Sequence, residues 1–173
     1  KSVAYAATGD LEQAAVHHKL LVEAIARVPT ERHQHNVSAR DIMTVALAMS
    51  RGEMAYRAGD YEVAFESLRE AVNLEDALPY DEPPGWMVST RHALGALMVE
   101  RASRMALDTL DDRKTAEIHL VEAEAVFRRD LMKFPDNVWA VSGLLNTLKC
   151  RQAIQYAAGT GTGATASTSK CCG

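Results

Sequence analysis

The sequence lacks a disulfide framework, a membrane-length apolar run and a surplus of positive charge, and each lack removes a class of function. Its three cysteines, Cys150, Cys171 and Cys172, are an odd number with two adjacent, which fits a reducing, cytoplasmic compartment better than a stapled secreted fold. Cys171-Cys172-Gly173 is no C-a-a-X box, because a four-residue box would have to begin at Lys170. No stretch approaches the ~18–20 apolar residues that a membrane span requires. Nineteen Lys and Arg against 23 Asp and Glu leave −4, so bulk electrostatics favour neither nucleic acid nor acidic lipid. Five prolines and ten glycines are too few for a collagen-like or wholly disordered chain. Catalytic signatures are missing as well. Gly159-Thr160-Gly161-Thr162-Gly163 follows no strand pattern and lacks the lysine of a phosphate loop, and neither G-x-S-x-G nor H-E-x-x-H occurs. Cys150 with His119 or His92 has no local motif of a nucleophile and base. The expectation is a chain that is not an enzyme and needs no cofactor.

What is present is helical periodicity. Of 173 residues, 47% are hydrophobic and 24% charged, enough to bury a core. Ser2–Ala7 reads as the last turns of a helix, and an opening at Lys1 without methionine suggests part of a longer protein. Leu11, Ala14, Ala15, His18, Leu21, Val22 and Ile25 recur at steps of three and four, predicting a helix over 11–27. Asp10 is its N-cap, with Gln13 placed for a capping box, and Pro29 ends it. Ser38 caps the next helix, which buries Ile42, Val45, Ala46, Met49 and Tyr56. Gly59-Asp60 makes a turn, and Tyr61, Ala64, Phe65, Leu68, Ala71 and Val72 form the third stripe. Pro79, Pro83 and Pro84 keep the following segment out of helix. A fourth helix is expected over about 86–107. A fifth follows a turn at Asp111-Asp112 and covers 114–133, with Ile118, Val121, Ala125, Val126 and Leu131 among its apolar positions. Pro135-Asp136-Asn137 separates it from a sixth beginning near Val138 and carrying Val141, Leu144, Leu145, Leu148 and Ile154. No segment alternates as a strand does, so the chain reads as all-α. Residues 159–169 are Gly, Thr, Ala and Ser only, which predicts a globular part over 1–158 and a disordered tail over 159–173.

The helices come in pairs that resemble one another. The segment from Tyr5 through Gly9-Asp10-Leu11 to Ala14 matches the segment from Tyr56 through Gly59-Asp60-Tyr61 to Ala64. With Gly52, Leu68 and Ala71 in one unit, Leu94-Gly95, Ala123, Phe127 and Pro135 in a second, and Ala140, Val141 and Leu144 opening a further one, the chain resembles the tetratricopeptide repeat family. The likeness spans roughly residues 1–150 and is to the C-terminal part of longer proteins of that kind. Its implied fold is an irregular right-handed α-solenoid of three to four antiparallel helical hairpins. Departures are a 50-residue spacing between the two Gly-Asp turns, Asp130 in place of the usual alanine, and Gly143 out of register.

The resemblance implies a non-catalytic scaffold that binds a peptide or protein along a concave groove built by the first helix of each pair. It implies Met49, Glu53, Tyr56 and Arg57, then His92 with Ala96, and then Asn146 with Lys149, as groove positions. A chaperone carboxylate clamp is not expected, because Met49, Glu53, His92, Ala96, Ser142 and Asn146 stand where its cations and asparagines would. Tyr80, Asp81, Glu82 and Trp86 form a separate acidic and aromatic loop edge suited to a basic segment of a partner. One alternative is a metal- or small-ligand-binding module using His33, His35, Asp81, Glu82 and His92, should their loops converge. Another is a purely structural repeat array within a larger protein.

Overall fold

The computed structural model describes residues 1–159, with side chains to residue 156. Most of the expected tail therefore lies outside the described residues. Among the described residues the fold is all-α apart from one ribbon of two two-residue strands, and the chain divides into two compact units, Lys1–Thr90 and Arg91 onward. No described helix is long and apolar enough to cross a membrane.

In the first unit, α1 (Ser2–Ala7) and α2 (Leu11–Ala26) precede a hairpin of β1 (His33–Gln34) and β2 (Val37–Ser38), then α3 (Ala39–Ala58) and α4 (Tyr61–Asp76). The expected caps are there. Asp10 accepts from the Gln13 amide at 3.0 Å, and Asp60 from the Val63 amide at 3.2 Å. Between α3 and α4, Gly59 adopts φ 86°, which a side chain would strain, so the chain reverses within one turn and the two helices pack as an antiparallel hairpin. They pack closely because Gly52 has no side chain: a Cβ there would lie 2.7 Å from Leu68 Cγ. Val45, Ala48, Ala64, Phe65, Leu68 and Ala71 form the core beside Tyr56.

Three expectations fail here. Of the α2 stripe only Ala14 is fully buried, while Leu11 and Val22 are 39% and 45% exposed, since few elements pack on this helix. A short hairpin forms where no strand was expected: His33 pairs with Ser38 and Gln34 with Val37, and Val37 is buried beneath Gly85. The fourth helix does not begin at Trp86. It begins at Thr90, whose amide and hydroxyl both donate to buried Glu75, at 2.8 and 2.6 Å, so residues 77–89 run as an irregular connection held at its far end.

Thr90 ends the first unit and opens α5 (Thr90–Arg104); the second unit holds the rest of that helix with α6 (Leu110–Lys133) and α7 (Val138–Gly159). Thr109, rather than the Asp111-Asp112 pair, caps α6, exchanging hydrogen bonds with Asp112 in a capping box. At the next turn Asp136 takes φ 65° and Asn137 Oδ1 accepts from the Trp139 amide at 3.1 Å, which starts α7. Leu94, Met98, Leu120, Ala123, Phe127, Ala140, Cys150 and Ile154 are buried.

Candidate functional site

The residues expected to line a groove divide between packing and surface. Tyr56 is 4% exposed, its ring edge-on to Tyr61 at 5.3 Å and Phe65 at 6.1 Å, so it is core rather than an open contact. Arg57 is exposed and lies over the Tyr56 ring, 5.4 Å from its centroid. Met49 and Glu53 are half-buried on α3. In the second unit Asn146 is half-buried, whereas Ala96 and Lys149 are exposed. His92 is committed inside the fold: its Nε2 donates to Asp130 Oδ2 at 3.0 Å, and Asn137 Nδ2 donates to the same oxygen at 3.1 Å. Asp130 is wholly buried, so α5, α6 and the start of α7 meet on one carboxylate.

The loop edge is assembled in part. Asp81 is buried, and its Oδ1 accepts from the Glu82 amide at 3.2 Å and from Asn36 at 3.4 Å, while His35 Nδ1 stands 3.7 Å from Oδ2. Tyr80 is 78% exposed and donates to Glu82, which raises the phenol's pKa above its ordinary value. Trp86 is half-buried, its Nε1 without a hydrogen-bond partner among the described residues. The hairpin and the proline-rich connection thus do converge, as the ligand-binding alternative required. The rest of that set does not gather: His33 Nδ1 lies 2.9 Å from the Glu31 carbonyl oxygen, and His92 is taken by Asp130. Among the described residues no three His, Cys, Asp or Glu side chains stand close enough to hold a metal ion.

A shallow cleft of about 280 Å³ is lined by Leu11, His18, Arg51, Met54, Ala55, Ala58 and Asp60. That is just below the ~300 Å³ at which small-molecule sites begin. Its polar groups serve the fold. Ser50 Oγ lies 2.9 Å from His18 Nδ1 and 2.7 Å from Ser2 Oγ, while Arg51 donates to Ser67 at 2.8 Å and pairs with Glu70. Burial first, and the nearby Arg51 charge second, hold the His18 imidazole below its usual pKa and so favour the neutral ring.

Several apolar positions expected in the core are accessible. Ile118 and Val121 on α6, and Val141, Leu145 and Leu148 on α7, belong to the expected buried stripes, yet the structure exposes all five. On α7 they join Val138 in a row at i, i+3, i+7 and i+10, opposite buried Ala140, Thr147, Cys150 and Ile154. On α6, Ile118, Val121, Ala125 and Met132 make the matching row, opposite Ala116, Leu120, Ala123 and Phe127. Phe127 meets Gly95 of α5 and Gly143 of α7, so each exposed row lies on the side of its helix turned away from this packing. On α7 apolar residues stand both on the buried side and in the exposed row, so the helix has more apolar surface than one packed face requires.

An ion cluster joins α6 and α7. Arg151 of α7 donates to Glu117 at 2.8 Å and also pairs with Glu124, which in turn accepts from Arg128 at 2.8 Å. Arg128 first, with Arg151 adding to it against the cost of burial, holds the Glu124 carboxyl below its ordinary pKa. Against this geometry, no family model, curated protein or solved structure matches the chain.

Proposed function

We propose that the chain is a non-catalytic protein-interaction module, an irregular right-handed α-solenoid of tetratricopeptide type that docks a partner on helix surfaces. The observation that carries this reading is the exposed aliphatic row of α7. Val138, Val141 and Leu145 are 69%, 49% and 51% exposed in one row, and large contiguous apolar patches on soluble proteins mark interaction sites. The antiparallel α3–α4 hairpin, its glycine close approach and the Phe127 packing support the solenoid reading. The contact surface is the exposed row of α7, in place of a groove through Tyr56 and His92, whose side chains are spent on packing and on Asp130.

The test is co-purification from cells that make the protein, comparing wild type with Val141→Glu/Leu145→Glu and with a control, Glu62→Lys, on the exposed side of α4. Proteins retained by wild type and by the control but lost with the double variant are expected. The same set in all three would contradict the reading.

A further inference from the structure

We propose that the α1–α2 hairpin is an acid-released flap, in which proton uptake by His18 lifts both helices from α3 and uncovers the surface beneath. The device lies in the first unit and does not depend on the exposed row of α7. Within the hairpin, Gly9 at φ 87° reverses the chain, and the Tyr5 ring stacks on His17 with centroids 5.2 Å apart. Its hold on the rest of the unit is thin. The residues the two helices bury are Ser2, Ala6 and Ala14, whereas α4 buries Phe65 and Leu68. Small side chains remove little apolar area from water, so polar contacts weigh more in holding this hairpin than in holding α4.

Those contacts converge on one hydroxyl. Ser50 of α3 is 3% exposed, and its Oγ lies 2.7 Å from Ser2 Oγ of α1 and 2.9 Å from His18 Nδ1 of α2. A neutral ring suits that place and a charged one does not. Arg51 of α3 is the cation that faces it, and Ser2 of α1 brings no charge to offset it. Glu70 of α4 is paired with Arg51, and Asp60, at the α3–α4 turn, lines the same cleft but accepts from the Val63 amide. On α2 itself the flanking residues are His17 and Lys19. Burial first and Arg51 second therefore disfavour the imidazolium. The cleft, with Leu11 and His18 on α2 and Met54, Ala55 and Ala58 on α3, gives solvent a route to the ring. Once the hairpin lifts, the ring is solvated and binds its proton freely, so acid favours the raised form and uncovers those three α3 side chains.

The experiment uses the full chain and follows amide hydrogen exchange, corrected for intrinsic rates, at about pH 7.5 and about pH 5, on either side of the ordinary histidine value. Fluorescence of an apolar dye is read in parallel. The α2 amides are expected to exchange through a smaller opening than those of α4 at both pH values. Their protection should fall at least about threefold in acid, and dye fluorescence should rise. His18→Gln should remove both responses, His33→Gln on the ribbon should keep them, and Arg51→Met should weaken them. In the wild type the His18 ring, followed by NMR, should titrate below His33 and in step with the dye signal, which tests the proposal even if His18→Gln fails to fold. Exchange of α2 and α4 together at both pH values would overturn it. So would an acid response that survives His18→Gln, or a His18 ring that titrates with His33.

Discussion

The ring of Phe127 fills the space where Gly143 would carry a side chain: a Cβ on Gly143 would lie 2.3 Å from the ring's Cζ, and one on Gly95 only 2.6 Å from the same atom. The aromatic is held between two helices that each omit a side chain for it, and it has no room to move aside in either direction. Gly143→Ala adds a good helix former, worth about 1 kcal/mol in an exposed helix, yet should destabilise the second unit by about 1–3 kcal/mol through overpacking. Urea denaturation checks it. Pairing Gly143→Ala with Phe127→Leu should recover part of the loss, a coupling that separates crowding from any backbone effect.

Asp130 is the polar counterpart of that contact. Asp130→Ala leaves His92 and Asn137 without their shared acceptor in a buried place and should cost about 1–3 kcal/mol. Thermal or urea unfolding of Asp130→Ala beside His92→Ala and the double variant should show losses that do not add.

Glu75 anchors Thr90 through its amide and hydroxyl. Glu75→Ala should lower stability by about 1–3 kcal/mol and speed hydrogen exchange at the Thr90 amide. An unchanged exchange rate there would show that the carboxylate does not hold that end of the connection.

His18 gives a pH dependence with a definite sign. Burial and Arg51 depress its pKa in the folded chain below the ordinary 6.5, so between the two values the unfolded chain binds a proton that the folded one refuses. Stability from this group is therefore full above about pH 6.5 and declines as pH falls toward the folded value. Urea midpoints for His18→Gln should drop less than those of wild type over that window. The depressed Glu124 acts lower, its contribution fading as pH falls below about 4.5.

Much of the fold was legible because its signals are local. Asp10, Ser38, Gly59 and Asp60 mark helix ends through short-range backbone chemistry, and the structure keeps each of them at its expected cap. Thr109 was missed because Asp111 and Asp112 nearby are equally good cap formers, and only the reciprocal bond with Asp112 decides among them. Glu75 was invisible for a different reason: its partner is 15 residues away across the proline-rich connection. The candidate surface failed in an instructive way. Ile118, Val121, Val141, Leu145 and Leu148 do follow helix periodicity, but a stripe records only that a face is apolar, not whether anything in the same chain covers it. Tyr56 shows the converse, since a position that the resemblance places in a groove is filled by Tyr61 and Phe65.

The most direct test of the docking face is a photo-reactive amino acid placed at Leu145 and, separately, at Glu62, followed by irradiation in cells that make the protein. The account predicts a covalent adduct with a different protein from position 145 and none from position 62. No adduct from position 145, or identical adducts from both, would contradict it.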